Sequence, residues 1–308
     1  MPMLKRKKSL TDDLPISFKI FALCVTTLLS ISCIIPFLLT ISISLTDDIA
    51  LRLQGYGLIP AKFSTAAYDY ILKNGEQIVR SYGVTIFVTV VGTVMGIIIM
   101  TMLAYPLSRP HFPWKRQFTF IVYFTMLFSG GMVASYIINT SVYHLRDTIW
   151  ALILPGCCSP MYVLILRTYM STSIPPAVLE SARIDGAKEF TCYWKIVLPM
   201  AVPSIATISL FLAVHYWNDW NRAFLYILMK TELYPIQLLL KRIENEIQFL
   251  ANNSEGISIS EAMAIEESIP GETVKMALVV LVVVPIIVAF PFFQKYFVKG
   301  ITVGAVKG

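Results

Sequence analysis

Long apolar stretches alternate with short polar segments along the chain. A transmembrane helix needs about 20 consecutive, mainly apolar residues, and six stretches are of that order. They run at Phe18–Ser44, Tyr82–Leu107, Phe118–Asn139, Trp150–Tyr169, Pro199–Leu228 and Val274–Tyr296. Backbone groups in lipid have no water partner, so such segments form helices or closed barrels. The stretches lack an apolar–polar alternation with a period of two, and the pattern therefore predicts six transmembrane helices.

Composition excludes a water-soluble fold. Hydrophobic residues make up 56% of the 308 residues and charged residues 14%, against about 45–50% and about 25% in soluble domains. The mean hydropathy is +0.69. Too few polar side chains remain to cover a soluble protein of this size, so the excess apolar surface must face lipid. The expected fold class is an all-α membrane protein.

Lysine and arginine gather in alternate connecting segments, and acidic residues gather in the others. Positive residues mark the cytoplasmic loops of membrane proteins. The basic segments are 1–17, 108–117, 167–198 and the residues after 294, whereas acidic residues concentrate in 45–81 and 229–273. We therefore expect both termini to be cytoplasmic. The formal net charge of +6 then reflects topology and contact with membrane lipid, and no nucleic-acid partner is expected.

This topology divides the chain into a basic cytoplasmic segment, 1–17, a six-helix transmembrane domain, 18–298, and a cytoplasmic tail, 299–308. The extracytoplasmic loop 229–273 is long enough to contain short helices of its own. The loop 46–81 is expected to contain a surface helix near Thr65–Asn74. The five cysteines and three histidines show no paired spacing, so neither a disulfide framework nor a metal site is expected.

The segment between the fourth and fifth spans has the pattern of a compact helix–turn–helix. Ser173 is a suitable N-cap, and Pro175 and Pro176 are tolerated in a first helical turn. Gly186 supplies the left-handed conformation that ends a helix. The segment 173–198 is too polar to lie in lipid, so we expect it to be presented to a cytosolic partner.

Three short motifs occur in order within this segment: Glu180-Ser181-Ala182, Asp185-Gly186-Ala187 and Ile196-Val197-Leu198-Pro199. Together they resemble the loop shared by the permease subunits of ABC importers, which has Glu-Ala-Ala, a following glycine and then Ile-x-Leu-Pro. Ser181 in place of the middle alanine is the only departure. The resemblance implies the type I (MetI-like) permease fold, with coupling helices at 173–198 that dock on an ATPase subunit. The residues it implicates are Glu180, Ser181, Ala182, Asp185, Gly186, Ala187, Leu198 and Pro199.

Further motifs narrow the resemblance to carbohydrate importers. Ala104-Tyr105 with Leu107-Ser108-Arg109 ends the second span, and Trp217-Asn218-x-Trp220 lies in the fifth. The C-terminus is similar to the tail of the MalG-like half of maltose-type transporters, which reaches the ATPase dimer interface. The tail residues concerned are Lys299, Gly300, Gly304, Lys307 and Gly308. The nearest resemblance is to permeases paired with an LplB-type partner, which import oligosaccharides from complex polysaccharides.

The resemblance also implies the rest of the assembly. A second homologous permease, two ATPase subunits that bind ATP and Mg, and an extracytoplasmic solute-binding protein complete such an importer in the bacterial plasma (inner) membrane. The chain contains no P-loop or other nucleotide signature. We therefore expect a non-catalytic subunit that binds no cofactor itself.

A polar and aromatic cluster follows His215 late in the fifth span. It comprises Trp217, Asn218, Asp219, Trp220, Asn221 and Arg222. Ionisable groups at membrane depth usually face a pathway or a partner, and aromatic faces with planar hydrogen-bonding groups suit sugars, so we predict a substrate pathway. Two alternatives remain open: an aromatic belt at the membrane interface, and mutual neutralisation of Asp219 and Arg222, three residues apart.

Several other interpretations remain open. Gly130-Gly131 in the third span is interpreted as a close-packing site for helices, with a helix break as the alternative. The coupling loop is common to ABC importers of non-sugar solutes. An ion-coupled secondary transporter usually has internal repeats, which are not apparent. A membrane-embedded enzyme would need paired carboxylates or clustered histidines within the spans, and Asp219 is the only carboxylate there.

Overall fold

The computed structural model describes residues 15–73, 75–253 and 271–305. The helices are α1 (Ile16–Ser44), α2 (Asp48–Gln54), α3 (Ala66–Lys73), α4 (Gly75–Ser108), α5 (Lys115–Leu127), α6 (Gly131–Ile137), α7 (Trp150–Ile153), α8 (Pro160–Thr172), α9 (Pro176–Ile184), α10 (Glu189–Cys192), α11 (Leu198–Met200), α12 (Val202–Trp217), α13 (Asn221–Tyr226), α14 (Ile236–Asn253) and α15 (Glu272–Ala305). Two π-helical turns, Ile138–Val142 and Tyr193–Val197, extend α6 and α10. The basic segment Lys5–Lys8 and residues 254–270 of the predicted outer loop lie outside the described residues.

Three helices are each long and apolar enough to cross a bilayer, namely α1, α4 and α15. They confirm the first, second and sixth predicted spans. None of the apolar window of α1 is buried within the chain. This apolar part of α1 must therefore face lipid or another subunit, whereas Ser42, Ile43 and Ser44 at its end are buried within the chain.

The other three predicted spans are bent pairs of shorter helices. The bends are 113° between Lys115–Leu127 and Gly131–Val142, 50° between Trp150–Gly156 and Pro160–Thr172, and 78° between Glu189–Met200 and Val202–Trp217. Each of these three predicted spans is therefore present as a helix that is broken within its length. Prolines in the first turns of α8 and α12 cannot donate the helical hydrogen bond. Membrane proteins tolerate such breaks where neighbouring helices satisfy the freed backbone groups.

The bend between α5 and α6 lies at Gly130-Gly131. Gly131 has a φ of 79°, a left-handed conformation that glycine adopts without a steric penalty. A Cβ at Gly131 would meet nothing within 4 Å. No other helix in the described part of the chain packs closely against Gly131, and the alternative interpretation of the pair, a helix break, is what the structure contains.

α4 is the central helix, and it packs against both α8 and α12. Its approach to α12 depends on two glycines four residues apart. A Cβ on Gly92 would collide with the ring of Tyr216, and one on Gly96 would collide with Leu212 and with the Cys157 carbonyl oxygen. Small residues at this spacing allow membrane helices to approach closely.

The connecting segments lie at two ends of the helix bundle. At one end, the Leu228 amide donates to the carboxylate of Asp147 at 2.7 Å, which joins the segment before α7 to the segment after α13. At the other end, the Tyr105 hydroxyl near the end of α4 donates to Glu189 of the 173–198 segment. These contacts place the segments at alternate ends, as six crossings require.

The end of the bundle that carries Asp147 also carries α3 and α14. α3 corresponds to the surface helix predicted near Thr65–Asn74. α14 is one amphipathic helix of 18 residues, where short helices were expected. Leu240 and Ile243 of α14 pack against an apolar cluster formed by α3 and α15, and this packing stabilises a longer helix than the local sequence indicates.

α15 continues past residue 298, the expected end of the transmembrane domain, as far as Ala305. Lys299, Gly300 and Gly304 are therefore helical, whereas Lys307 and Gly308 lie outside the described residues. The side chains beyond residue 292 are also outside the description, so the role assigned to this tail stays a prediction.

Candidate functional site

The predicted coupling segment folds as a helix–turn–helix. α9 begins at Pro176, with Pro175 as its N-cap residue, and the fixed φ of proline suits the first helical position. Ser173, which was predicted to cap this helix, instead ends α8. The reason is that a residue before proline is driven out of the helical region, so α9 cannot begin earlier than Pro176.

The turn after α9 depends on Gly186. Its φ is 82°, and its amide donates to the Arg183 carbonyl oxygen at 3.0 Å while the Ala187 amide donates to that of Ala182 at 2.9 Å. These two bonds form the Schellman arrangement, in which a left-handed residue satisfies the last helical carbonyls. The prediction that Gly186 ends the helix in this conformation is confirmed.

The coupling segment buries one face and exposes the other. Leu179 is 3% exposed and packs into the main core, with Ala182 and Ala187 beside it. In contrast, Ile184 is 87% exposed and Phe190 is 65% exposed. An exposed apolar surface of this kind usually marks an interaction site.

The motif residues are divided between these two faces. Glu180, Ser181, Asp185 and Pro199 are exposed, whereas Leu198 is partly buried. Ser181, the one departure from the motif, lies on the exposed face, so its hydroxyl needs no partner within the chain.

Glu189 links the coupling segment to α4. One carboxylate oxygen pairs with the Arg183 guanidinium at 2.8 Å, and the other accepts a hydrogen bond from the Tyr105 hydroxyl at 2.7 Å. The Tyr193 and Thr101 hydroxyls form a second link at 2.9 Å, and the Tyr105 and Tyr193 rings lie 5.5 Å apart. The two arms of the coupling segment, α9 and α10 with its π-helical extension, are thus both linked to the end of α4.

Two arginines connect the C-terminal ends of α4 and α8 by hydrogen bonds. Arg109, which is 8% exposed, donates to the Met170 carbonyl oxygen at 2.9 Å. Arg167 donates in turn to the Leu107 carbonyl oxygen at 3.2 Å. The last carbonyls of a helix lack intrahelical partners, and a cation near them is favourable. Arg109 also lies over the Tyr105 ring at 5.3 Å. The two motifs at the end of α4, Ala104-Tyr105 and Leu107-Ser108-Arg109, therefore contact each other.

In the fifth span, Asp219 and Arg222 form a tight ion pair at 2.6 Å, each with 13% of its side chain exposed. Asp219 also accepts hydrogen bonds from the amides of Asn221 and Arg222 at the start of α13. The predicted alternative of mutual neutralisation is therefore confirmed for this pair.

Each nitrogen of the Arg222 guanidinium contacts a neighbouring polar group. The guanidinium donates to the Leu152 carbonyl oxygen at 3.0 Å and contacts His215, and it lies over the Tyr216 ring at 5.0 Å. A Cβ on Gly156 would collide with it, so Gly156 makes room for this arginine. Arg222 therefore joins α13 to the broken helix that begins with α7.

A cavity of about 840 Å³ lies beside this cluster, between α4, α8, α12 and α15. Trp217, Asn218, Asp219 and Trp220 line it, whereas Asn221 and Arg222 do not. Most of the remaining lining is apolar. Residues missed by the sequence reasoning also line it, namely Thr89, Val90, Tyr162, Phe211, Pro285 and Phe290.

Thr89 is the polar residue that α4 contributes to this cavity. Its hydroxyl oxygen is buried and has no hydrogen-bond partner among the described residues, unlike that of Thr85, which bonds within the chain. Within the same residues, no group of three or more His, Cys, Asp or Glu side chains is arranged to hold a metal ion.

The loop before α7 contains a further functional candidate that the sequence reasoning missed. Asp147 has a φ of 53°, and its carboxylate accepts hydrogen bonds from the amides of Leu228 at 2.7 Å and Met229 at 2.8 Å. Together with the Lys230 amide, these bonds hold the pKa of Asp147 below its ordinary value. No sequence motif indicated this contact, because its partners are more than 80 positions away.

Comparison with known proteins gives consistent results. Residues 92–303 match the family described as "Binding-protein-dependent transport system inner membrane component". The chain is 39% identical over 276 residues to the polygalacturonan/rhamnogalacturonan transport system permease protein YtcP of Bacillus subtilis strain 168, covering 90% of this chain and 93% of that one. It is 36% identical to the protein LplC of the same organism, covering 89% and 90%.

A solved structure is also similar. A chain of a bacterial ABC transporter involved in the import of the acidic polysaccharide alginate superimposes with a TM-score of 0.78 at 30% sequence identity, covering 92% of this chain and 99% of that one. The resemblance derived from the coupling segment is thus confirmed. The chain belongs to the family of binding-protein-dependent transport system inner membrane components, the permease subunits of ABC importers.

Proposed function

We propose that this permease forms half of the translocation pathway of an ATP-driven importer of oligosaccharides released from complex polysaccharides. The coupling segment, with its Schellman turn at Gly186 and its exposed Ile184, is the observation that carries the proposal. The substrate class is supported by the relatives, since YtcP is described as a polygalacturonan/rhamnogalacturonan permease and the similar structure as an alginate importer.

The segment 173–198 is the contact with the ATPase. Glu180, Ser181, Asp185 and Pro199 are exposed and available to a partner, and the buried Leu179 anchors the segment to the core. The end of the bundle that carries this segment faces the cytoplasm, and so do both termini. Lys299, Gly300, Gly304, Lys307 and Gly308 extend this contact to the ATPase dimer interface. ATP and Mg are bound and used by the ATPase, and this chain is non-catalytic.

The partners are a second homologous permease, two ATPase subunits and an extracytoplasmic solute-binding protein. Exposed apolar side chains line one side of the cavity, including Val90 at 56% and Phe290 at 50%. A surface of this kind inside a membrane suits a second helix bundle, so the second permease completes the pathway there.

The mechanism assigns each part of the chain a physical role. Closure of the ATPase dimer on ATP favours one of two arrangements of the membrane helices, because ATP binds the closed dimer more tightly. The coupling segment transmits the movement of the ATPase dimer to α4. Trp217, Asn218 and Trp220 then present aromatic faces and amide groups to the sugar in the cavity. Asp219, Asn221 and Arg222 hold this side of the cavity in position. Asp219 pairs with Arg222 and accepts a hydrogen bond from the Asn221 amide at the start of α13.

Uptake into proteoliposomes tests the proposal. The purified complex with its binding protein is supplied with acidic oligosaccharides, such as oligogalacturonides, with neutral ones of equal length and, separately, with non-sugar solutes such as amino acids. Uptake that requires ATP inside the vesicle and a sugar outside supports it. Uptake that survives ATP depletion but collapses with an ion gradient favours a secondary transporter, and ATP-driven uptake of only non-sugar solutes favours the other alternative.

A further inference from the structure

Glu189 occupies a position that the coupling motif does not include. It is the first residue of α10, and its two carboxylate oxygens bind different elements. Oε1 accepts from Arg183 of α9, with Nη2 at 2.8 Å and Nε at 2.9 Å. Oε2 accepts from the Tyr105 hydroxyl of α4 at 2.7 Å. One side chain therefore joins both arms of the coupling segment to the central helix.

The α4 end of this link is fixed. Tyr105 is 8% exposed, with Arg109 over its ring at 5.3 Å and the Tyr193 ring at 5.5 Å. Arg109 is itself bonded to the Met170 carbonyl oxygen. The Tyr105 hydroxyl is thus held in one position, and a shift of Glu189 acts on the helix rather than on a mobile side chain.

α4 extends from this link to the cavity. Tyr105 and Thr89, a cavity-lining residue, are sixteen residues apart on one continuous helix, or about 24 Å at 1.5 Å per residue. The Arg183 end lies next to the exposed Ile184, on the surface proposed to meet the ATPase. The chain of contacts therefore begins at the ATPase surface and ends at the cavity.

We propose that Glu189 is a positioning residue that transmits movement of α9 to α4 through the Arg183–Glu189–Tyr105 contacts. This inference rests on the proposed coupling function. The alternative is a surface ion pair that only supports the start of α10. An exposed pair of that kind adds little stability, and Arg183 and Glu189 have 39% and 60% of their side chains exposed. Removing the charge should therefore leave folding and assembly intact while it alters transmission.

The test uses the whole complex in proteoliposomes and measures ATP hydrolysed per sugar imported. The variants are Glu189→Gln, which loses the charge pair with Arg183, Tyr105→Phe, which loses only the hydroxyl, and the two combined. Each single change is expected to raise the ATP-to-sugar ratio by about fivefold or more, the lower range of measured coupling between sites. The combined variant should be no worse than the worse single one, because both changes break the same link.

A matched control exists at the opposite end of the bundle. There the Tyr56 hydroxyl donates to the carboxylate of Glu272, so Tyr56→Phe and Glu272→Gln remove the same kind of contact. These controls are expected to keep the wild-type ratio. A rise equal to that of Glu189→Gln would show general loosening and overturn the inference.

Other outcomes are equally decisive. An unchanged ratio in both Glu189→Gln and Tyr105→Phe, with the ATPase still co-purifying, overturns the inference. If Glu189→Gln fails to assemble, Tyr105→Phe decides alone, since it removes one buried oxygen and keeps the ring. If the wild-type complex itself shows no ATP-driven uptake, the proposed function fails rather than this inference.

Discussion

Asp219 and Arg222 compensate each other's charge within the span. Their 2.6 Å ion pair and the amides bound to Asp219 leave neither charge free for a solute. Asp219 lines the cavity with its charge compensated, next to the uncharged Asn218 and Trp220. This part of the cavity therefore presents no unpaired charge, and its assignment to a substrate pathway stays a prediction.

Replacing Gly186 tests the turn of the coupling segment. Gly186→Val places a β-branched residue at a φ of 82°, which costs about 1–3 kcal/mol. A Cβ there would meet nothing within 4 Å, so the effect is on the backbone alone. We expect ATP hydrolysis to continue while sugar uptake falls, measured in proteoliposomes. Gly186→Asn, which tolerates this conformation better, should retain more uptake, and full coupling in the valine variant would contradict this account.

The lowered pKa of Asp147 predicts that this residue contributes to stability in a pH-dependent way. Its pKa is lowered by the Met229, Leu228 and Lys230 amides, so the folded-state value lies below the unfolded one of about 3.9. The stabilisation is therefore complete above about pH 4 and is lost as the pH falls through the folded pKa. Asp147→Asn should lower the Tm of the purified complex at pH 7. The difference in Tm between wild type and variant should shrink in buffer below about pH 4.

The control for this prediction is Glu246→Gln, a change at an exposed carboxylate of α14. It should leave the Tm nearly unchanged at both pH values. A difference between wild type and Asp147→Asn that grows on acidification would contradict the sign of the pKa shift.

Among the elements, α4 approaches α12 closely at Gly92. Gly92→Ala would place a methyl group into the Tyr216 ring, and overpacking of this kind costs about 1–3 kcal/mol. We expect a clear fall in the Tm of the complex. Gly83→Ala on the same helix, where a Cβ meets nothing within 4 Å, should change the Tm little. Equal effects at both positions would exclude a specific role for Gly92.

The six spans could be predicted from the sequence because hydropathy reports which segments tolerate lipid. Hydropathy does not report where a helix bends, so the 113° bend was only the alternative interpretation of Gly130-Gly131, and the breaks before α8 and α12 were not located. The packing of Gly92 against Tyr216 of α12 was not predicted, because it depends on residues distant in sequence. The length of α14 depends on its packing against α3 and α15, which are distant in sequence.

The candidate site could be predicted as far as local spacing allows. Gly186 was identified from its motif, and the Asp219–Arg222 pair from its spacing of three. The Gly156–Arg222 contact and the Glu189–Tyr105 bond join residues 66 and 84 positions apart, so no local pattern indicates them. Ser173 was misplaced because it satisfies the cap preference, whereas the two following prolines decide where α9 begins.

The whole molecule has the surface of a subunit rather than of a complete transporter. α1 buries none of its apolar window within the chain, and the cavity is bounded on one side by exposed apolar residues such as Val90 and Phe290. At the coupling end, Ile184 is 87% exposed. In a membrane, such apolar surfaces face lipid or another subunit. They are consistent with the family to which the chain belongs, the permease subunits of ABC importers.

Co-purification tests this central claim most directly. The tagged chain is extracted from membranes in mild detergent, and the proteins bound to it are identified for the wild type and for Ile184→Asp, which places a charge on the exposed coupling surface. We predict that the wild type recovers a second permease and an ATPase, and that Ile184→Asp keeps the permease but loses the ATPase. Recovery of the wild-type chain alone, or an ATPase bound equally by both forms, would contradict the account.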